Sequence, residues 1–211
     1  MIITYGGLES FKLQFGDTIL AFNPASKDSK FKTPAFGADI VFTSLNHPDF
    51  NGTETVSRGD RQPFSVTGPG EYEVKGIFIK GMESKSSYSG NEQINTIFTV
   101  NLEGMNICFL GALGSADSAK AARENIDDVD ILFVPIGGEG VLAPADAYKF
   151  ALSLEPRIII PMHYGDIGIH DALKIFLKEG GGEKTEALDK LTVKRKDLEG
   201  KEAEIVVLKA S

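Results

Sequence analysis

The chain has 211 residues, 42% hydrophobic and 25% charged, with a net charge of −8 and a pI near 5.0. That composition is ordinary for a soluble globular protein, and an acidic balance without a basic tract argues against a surface that tracks nucleic-acid phosphates. No apolar run approaches the about 18 residues of a membrane span, no signal-peptide pattern opens the chain, and the one cysteine, Cys108, forbids an intrachain disulfide, so a cytoplasmic location is expected.

The first half reads as strands. Ile2–Tyr5, Ser10–Phe15 and Thr18–Phe22 are short apolar or alternating runs, with Phe15-Gly16-Asp17-Thr18 as a hairpin turn between the last two. Asp39–Thr43 is a buried-type strand. Glu71–Lys80 alternates behind the turn signal Gly68-Pro69-Gly70, and Ile94–Asn101 and Asn106–Leu110 flank a second hairpin turn. The second half alternates helix and strand. Ser115–Glu124 is a polar helix candidate and Asp130–Pro135 a strand. Pro144–Leu154 is an amphipathic helix, apolar at Ala147, Phe150, Ala151 and Leu154, with Pro144 suited to its first turn. Arg157–Pro161 is a buried strand, His170–Lys178 a helix stopped by Gly180-Gly181-Gly182, and Leu191–Lys196 and Ala203–Leu208 return to strands. Strands, then helix–strand alternation, then strands again predict an α/β protein with two sheets and helices outside. No linker composition interrupts residues 1–211, which read as a single domain.

Few residues carry chemistry on their own. Cys108 lies in the apolar run Ile107-Cys108-Phe109-Leu110 and reads as a buried, inert thiol. His47 and Asp49 flank Pro48 just past a strand, where Asp49 can cap a helix, bond a loop or ligate a metal. His163 ends a strand and suits either a buried hydrogen-bonded role, with Asp49 as its partner, or a ligand role. His170 falls in a helix and is expected to be exposed. Ser84, Ser86, Ser87 and Ser89 cluster with Tyr88, but no Gly-x-Ser-x-Gly elbow supports a serine hydrolase. Gly6-Gly7, Gly137-Gly138 and Gly180–Gly182 lack phosphate-loop spacing and read as turns.

The order and spacing of several segments resemble the metallo-β-lactamase-fold hydrolases, in the branch that includes the L-ascorbate-6-phosphate lactonase-like proteins. The segments are Leu45-Asn46-His47-Pro48-Asp49-Phe50, Gly68-Pro69-Gly70-Glu71-Tyr72-Glu73-Val74, Asn95-Thr96-Ile97-Phe98, Leu110-Gly111-Ala112-Leu113-Gly114, Val134-Pro135-Ile136-Gly137-Gly138 and Ile160-Pro161-Met162-His163-Tyr164. The resemblance implies a four-layer αββα sandwich. It also implies two divalent ions, usually zinc, on loops at one edge of the sheets, activating a water for hydrolysis.

The family's ligand pattern is mostly absent from this chain. The resemblance places the family's His-x-His-x-Asp-His motif on Leu45, His47, Asp49 and Phe50, so its first and last histidines are hydrocarbon here. An opening histidine falls on Leu8, an Asp-Pro on Asn23-Pro24, a later histidine on Ser86, another on Phe109 and the bridging aspartate on Ala112. His47, Asp49 and His163 remain as candidate metal ligands, split between the two ion positions, and neither position keeps the three protein ligands of catalytic zinc. The expectation is therefore a family member without two-metal hydrolysis and with no assigned catalytic residue or cofactor, binding a small molecule or protein in the former active-site cleft. The alternative is a hydrolase of lactones, esters or phosphodiesters with one weakly held divalent ion, zinc above all. Neither nucleic acid nor membrane is expected as a partner.

Overall fold

A computed structural model describes residues 1–60 and 62–211. Thirteen strands are described: β1 Ile2–Tyr5, β2 Phe11–Phe15, β3 Thr18–Phe22, β4 Ile40–Phe42, β5 Phe64–Val66, β6 Gly70–Val74, β7 Ile77–Ser86, β8 Gln93–Leu102, β9 Met105–Phe109, β10 Ile131–Pro135, β11 Ile158–Met162, β12 Leu191–Thr192 and β13 Glu204–Ile205. Helices are α1 Lys120–Arg123, α2 Pro144–Leu152 and α3 Ala172–Glu179. One sheet runs β12-β1-β2-β3-β4-β5 and the other β13-β11-β10-β9-β8-β7-β6.

The parallel parts explain where apolar runs replace alternation. β10 pairs in parallel with β9 and β11, and Ile131–Pro135 and Ile158–Met162 are buried throughout. A strand covered on both faces has no solvent side on which to place polar residues. Between the sheets the core is built on phenylalanine pairs: Phe22–Phe42 stacked at 4.3 Å, Phe11–Phe133 edge-to-face at 4.6 Å and Phe22–Phe109 tilted at 4.9 Å between ring centroids. Each fully buried ring contributes about 1.5–3 kcal/mol of burial free energy.

A second apolar cluster joins the outer face of the seven-stranded sheet to the helices, through Cys108, Leu132, Val134, Ala147, Phe150, Ala172 and Phe176. Burial there pushes the Cys108 thiol up to about 12, as an inert thiol requires. Over the other sheet, Ala21, Ala38, Val41 and Val56 pack with Ile19 and Phe36. The two packed sheets and the helical layer over the seven-stranded sheet are therefore present, while the layer over the other sheet is made of loops and the short 3₁₀ turn Thr53–Thr55.

Several elements differ from the sequence expectation. Glu71–Lys80 is not one strand but the hairpin of β6 and β7, with Lys75 at φ 53° and Gly76 at φ 75° making the two-residue turn. The candidate helix Ser115–Glu124 shortens to a 3₁₀ turn, Asp117–Ala119, and α1, because only Ala119 and Ala122 of these two short elements face inward. His170 lies outside α3, which starts after Asp171, and its side chain is 95% exposed. The last strands shrink to β12 and β13. No helix of the described residues is long and apolar enough to cross a membrane.

Candidate functional site

The candidate residues lie on turns at the strand ends. Leu8 and Glu9 sit in the turn between β1 and β2, closed by Gly6 N–H donating to Ser10 O at 2.7 Å. Asn23 follows β3, Ser44–Phe50 follow β4, Ala112 follows β9 and His163 follows β11. β3 is parallel to β4, and β9, β10 and β11 are parallel to one another, so several of these turns stand at carboxyl ends of parallel strands. That is the usual ligand position in open α/β sheets. At Gly111, φ is 59° and a Cβ would come within 2.4 Å of Ser44 and 2.6 Å of Asn95 Oδ1. A glycine there lets Asn95 reach across the turn and accept from Ala112 N–H at 2.9 Å.

The sequence predicted that His163 would pair with Asp49; the structure gives each a different partner. His163 Nδ1 lies 2.7 Å from Glu9 Oε1, with the imidazole 1% and the carboxylate 0% exposed. The Nδ1–H tautomer donates to that carboxylate. Asn23 Nδ2 donates to Glu9 Oε2 and to Ser44 Oγ, both at 2.8 Å, and its Oδ1 accepts from Ser44 N–H at 2.8 Å. Asp49 instead accepts from Ser29 Oγ at 2.5 Å and from Tyr88 OH at 2.6 Å. Burial, and then the Asp49 carboxylate, hold the Tyr88 phenol well above its ordinary value. His47 Nδ1 accepts from Asp49 N–H at 3.2 Å and stands 3.5 Å from Asp49 Oδ2. The closer of the two contacts is thus the backbone one, which holds the imidazole within its own turn.

His47 and Asp49 are therefore neighbours, while His163 belongs to the Glu9 group. Tyr88 stands between them, its ring 5.1 Å from His47 and 5.4 Å from His163. Among the described residues, no three His, Cys, Asp or Glu side chains form a group that could hold a metal ion. Four of the positions matched to family ligands are packed together, Leu8, Leu45, Phe50 and Ala112 forming one apolar cluster with Tyr88 and Val141, while Phe109 lies in the core between the sheets. Phe50 and Ala112 are fully buried and Leu45 is 1% exposed. Ser86, matched to a histidine, is buried, accepts from Tyr88 N–H at 3.2 Å and donates to Gly140 O at 3.4 Å. Beside this cluster a cleft of about 730 Å³ opens between residues 114–123, the loop 138–143 and α2, sharing Val141 and walled by Asp117, Lys120, Asp146 and Lys149.

Glu9 and Ser29 were not foreseen as part of the site. Glu9 belongs to no motif of its own inside Gly7-Leu8-Glu9-Ser10-Phe11, and only its complete burial reveals that it needs partners. Ser29 lies in an irregular loop without a motif.

The family model described as the beta-lactamase superfamily domain matches residues 2–163. The chain belongs to the metallo-β-lactamase superfamily. A solved structure from Thermotoga maritima, assigned as a Zn-dependent hydrolase of the superfamily, superposes with a TM-score of 0.77 at 29% identity, covering 98% of this chain and 97% of its own. A metal-dependent hydrolase of Listeria innocua is 23% identical over 195 residues, 78% of this chain and 85% of that protein. One of Pyrococcus abyssi is 30% identical over 118 residues, 54% of this chain and 48% of that protein.

Proposed function

We propose that this superfamily member does not carry out two-metal hydrolysis and acts as a metal-independent binding protein for a small molecule or protein segment, using the cleft at the filled site. The observation that carries this reading is the cluster of Leu8, Leu45, Phe50 and Ala112 with Tyr88 and Val141. A pair of divalent ions needs donor atoms where these side chains place hydrocarbon, and desolvating ions there is costly. Of the surviving donors, Asp49 accepts from Ser29 and Tyr88, and His163 gives its Nδ1–H to Glu9 and keeps only Nε2. The residues present thus do not fit the two-ion centre implied by the fold.

A second reading has its own support. The relatives named above are called metal-dependent hydrolases, and His47, a quarter exposed in its side chain, stands beside Asp49. That reading is a hydrolase of lactones, esters or phosphodiesters with a single divalent ion weakly held at the His47–Asp49 pair, which His163 would have to approach to complete the set.

Elemental analysis of protein purified without chelator or added metal separates the two, combined with melting in EDTA and in zinc. The binding reading expects substoichiometric metal and a midpoint unmoved by EDTA. Stoichiometric zinc, manganese or iron, with hydrolysis abolished by Asp49→Ala, would overturn it.

A further inference from the structure

We propose that the open edge of β6 docks an extended basic peptide, which adds to the seven-stranded sheet as a further strand. β6 ends the order of that sheet and is paired only with β7. Among the described residues, the backbone of Gly70–Val74 makes no hydrogen bond beyond that ladder. An antiparallel edge strand directs alternate N–H and C=O groups outward, which is a template for strand addition. Five residues give an edge about 17 Å long.

The side chains around the edge specify the chemistry of the added strand. Tyr72 and Val74 pack against the core between the sheets, while Glu71 and Glu73 alternate to the other face and are exposed. Opposite them on β7 stand Lys80 and Phe78, in the register Glu71↔Lys80 and Glu73↔Phe78. Phe78 is 63% exposed, more than any other large apolar side chain of the described residues. It borders a cavity of about 370 Å³ lined also by Glu71, Lys80, Val100, Cys108 and Asp127. The Lys80 ammonium donates to Asn125 Oδ1 at 3.2 Å.

An added strand would place alternate side chains on this face. Lysine or arginine there meets Glu71 and Glu73 on the adjacent strand, and only its long aliphatic stem reaches across toward Phe78, one strand further in. The intervening side chains, beside Tyr72 and Val74, extend the apolar core and are best apolar. A second copy of this chain is a poorer occupant. An antiparallel β6–β6 pair would oppose glutamates to glutamates, and like charges facing across strands destabilise a ladder. None of these residues belongs to the filled strand-end site, so the proposal is independent of the function proposed above.

The test is fluorescence anisotropy of the full chain with a labelled heptapeptide alternating lysine and valine, compared with its glutamate–valine counterpart. Saturable binding of the basic peptide, weakening with salt, is expected. Glu71→Lys combined with Glu73→Lys should weaken it at least about tenfold and confer binding of the acidic peptide. Phe78→Ala should weaken it about threefold to fivefold. All three substitutions are at exposed side chains, and melting curves verify the fold. Amide shifts on peptide addition should centre on Gly70–Val74 and β7, and a peptide N-methylated at alternate residues should fail to bind. Equal binding to the charge-reversed variant, undiminished binding of the N-methylated peptide, or no saturable binding would overturn the proposal. A concentration-dependent dimer abolished by substitution in β6 would also overturn it, identifying a second copy as the occupant.

Discussion

Phe50→Ala is the sharpest probe of the filled site. Phe50 is fully buried, with its ring centroid 4.9 Å from Tyr88, 6.1 Å from His47 and 6.3 Å from His163. Truncating a buried phenylalanine costs about 3–5 kcal/mol, from lost transfer free energy and the cavity left behind. The edge-to-face pair with Tyr88 contributes about 0.5–1.5 kcal/mol of this. We expect a loss of about 4 kcal/mol in urea unfolding. At about 2–4 °C per kcal/mol for a chain of this size, the melting midpoint should fall by about 8–16 °C. Phe50→Leu, which keeps most of the volume, should cost about 1.5 kcal/mol. The assay is urea and thermal unfolding followed by circular dichroism, with and without EDTA. A loss below about 1 kcal/mol for Phe50→Ala would refute the packed cluster, since no buried ring of this size is so cheaply removed.

Two further outcomes follow from the buried polar and phenolic groups. Glu9→Ala leaves His163 and Asn23 without their acceptor. With two buried donors left unpaired it should cost about 2–6 kcal/mol, against about 1–2 kcal/mol for Glu9→Gln, which retains an acceptor for one of them; equal urea midpoints for the two variants would refute the pairing. Burial pushes the Tyr164 phenol from 10.0 to about 12 and holds Tyr5 well above the same value. A raised folded pKa favours the protonated form in the native state, so this stability is full below about pH 10 and is lost as pH rises through the folded values. Alkaline difference spectra should therefore show tyrosine ionisation coinciding with unfolding, and early ionisation of all five tyrosines in the native state would contradict the burial.

Much of the framework was readable because local pattern and tertiary role coincide. β10 and β11 are uninterrupted apolar runs that belong to doubly covered parallel strands. His47, Asp49 and His163 fall at strand ends, where their motifs place them. The hairpin of β6 and β7 was missed because its flanks keep one alternating rhythm, although Lys75-Gly76 carried the turn signal. What the chain does not write locally is pairing. Glu9 and His163 are 154 residues apart in sequence, and only the fold sets one against the other. The same holds for Tyr88 and Asp49, whose bond spans 39 residues. Residue type identified Asp49 and His163 as polar groups needing partners, but their choice between each other and Tyr88 or Glu9 depends on side-chain direction across two sheets.

The two halves of the site are coupled through Tyr88. A carboxylate at a buried position is tolerated only with compensating charge or hydrogen bonds. Asp49 has Ser29 and Tyr88, and Glu9 has His163 and Asn23. The Tyr88 hydroxyl serves the first carboxylate while its ring packs on Phe50 and on both histidines. Hydrocarbon packing and carboxylate satisfaction thus depend on one side chain. Leu45→His would place an imidazole among the apolar neighbours of that cluster while Asp49 keeps Ser29 and Tyr88 and His163 keeps Glu9. Energies of substitutions within such a network do not add. A substitution at any one of these positions is therefore felt by the packed residues and by the donors that hold the two carboxylates together.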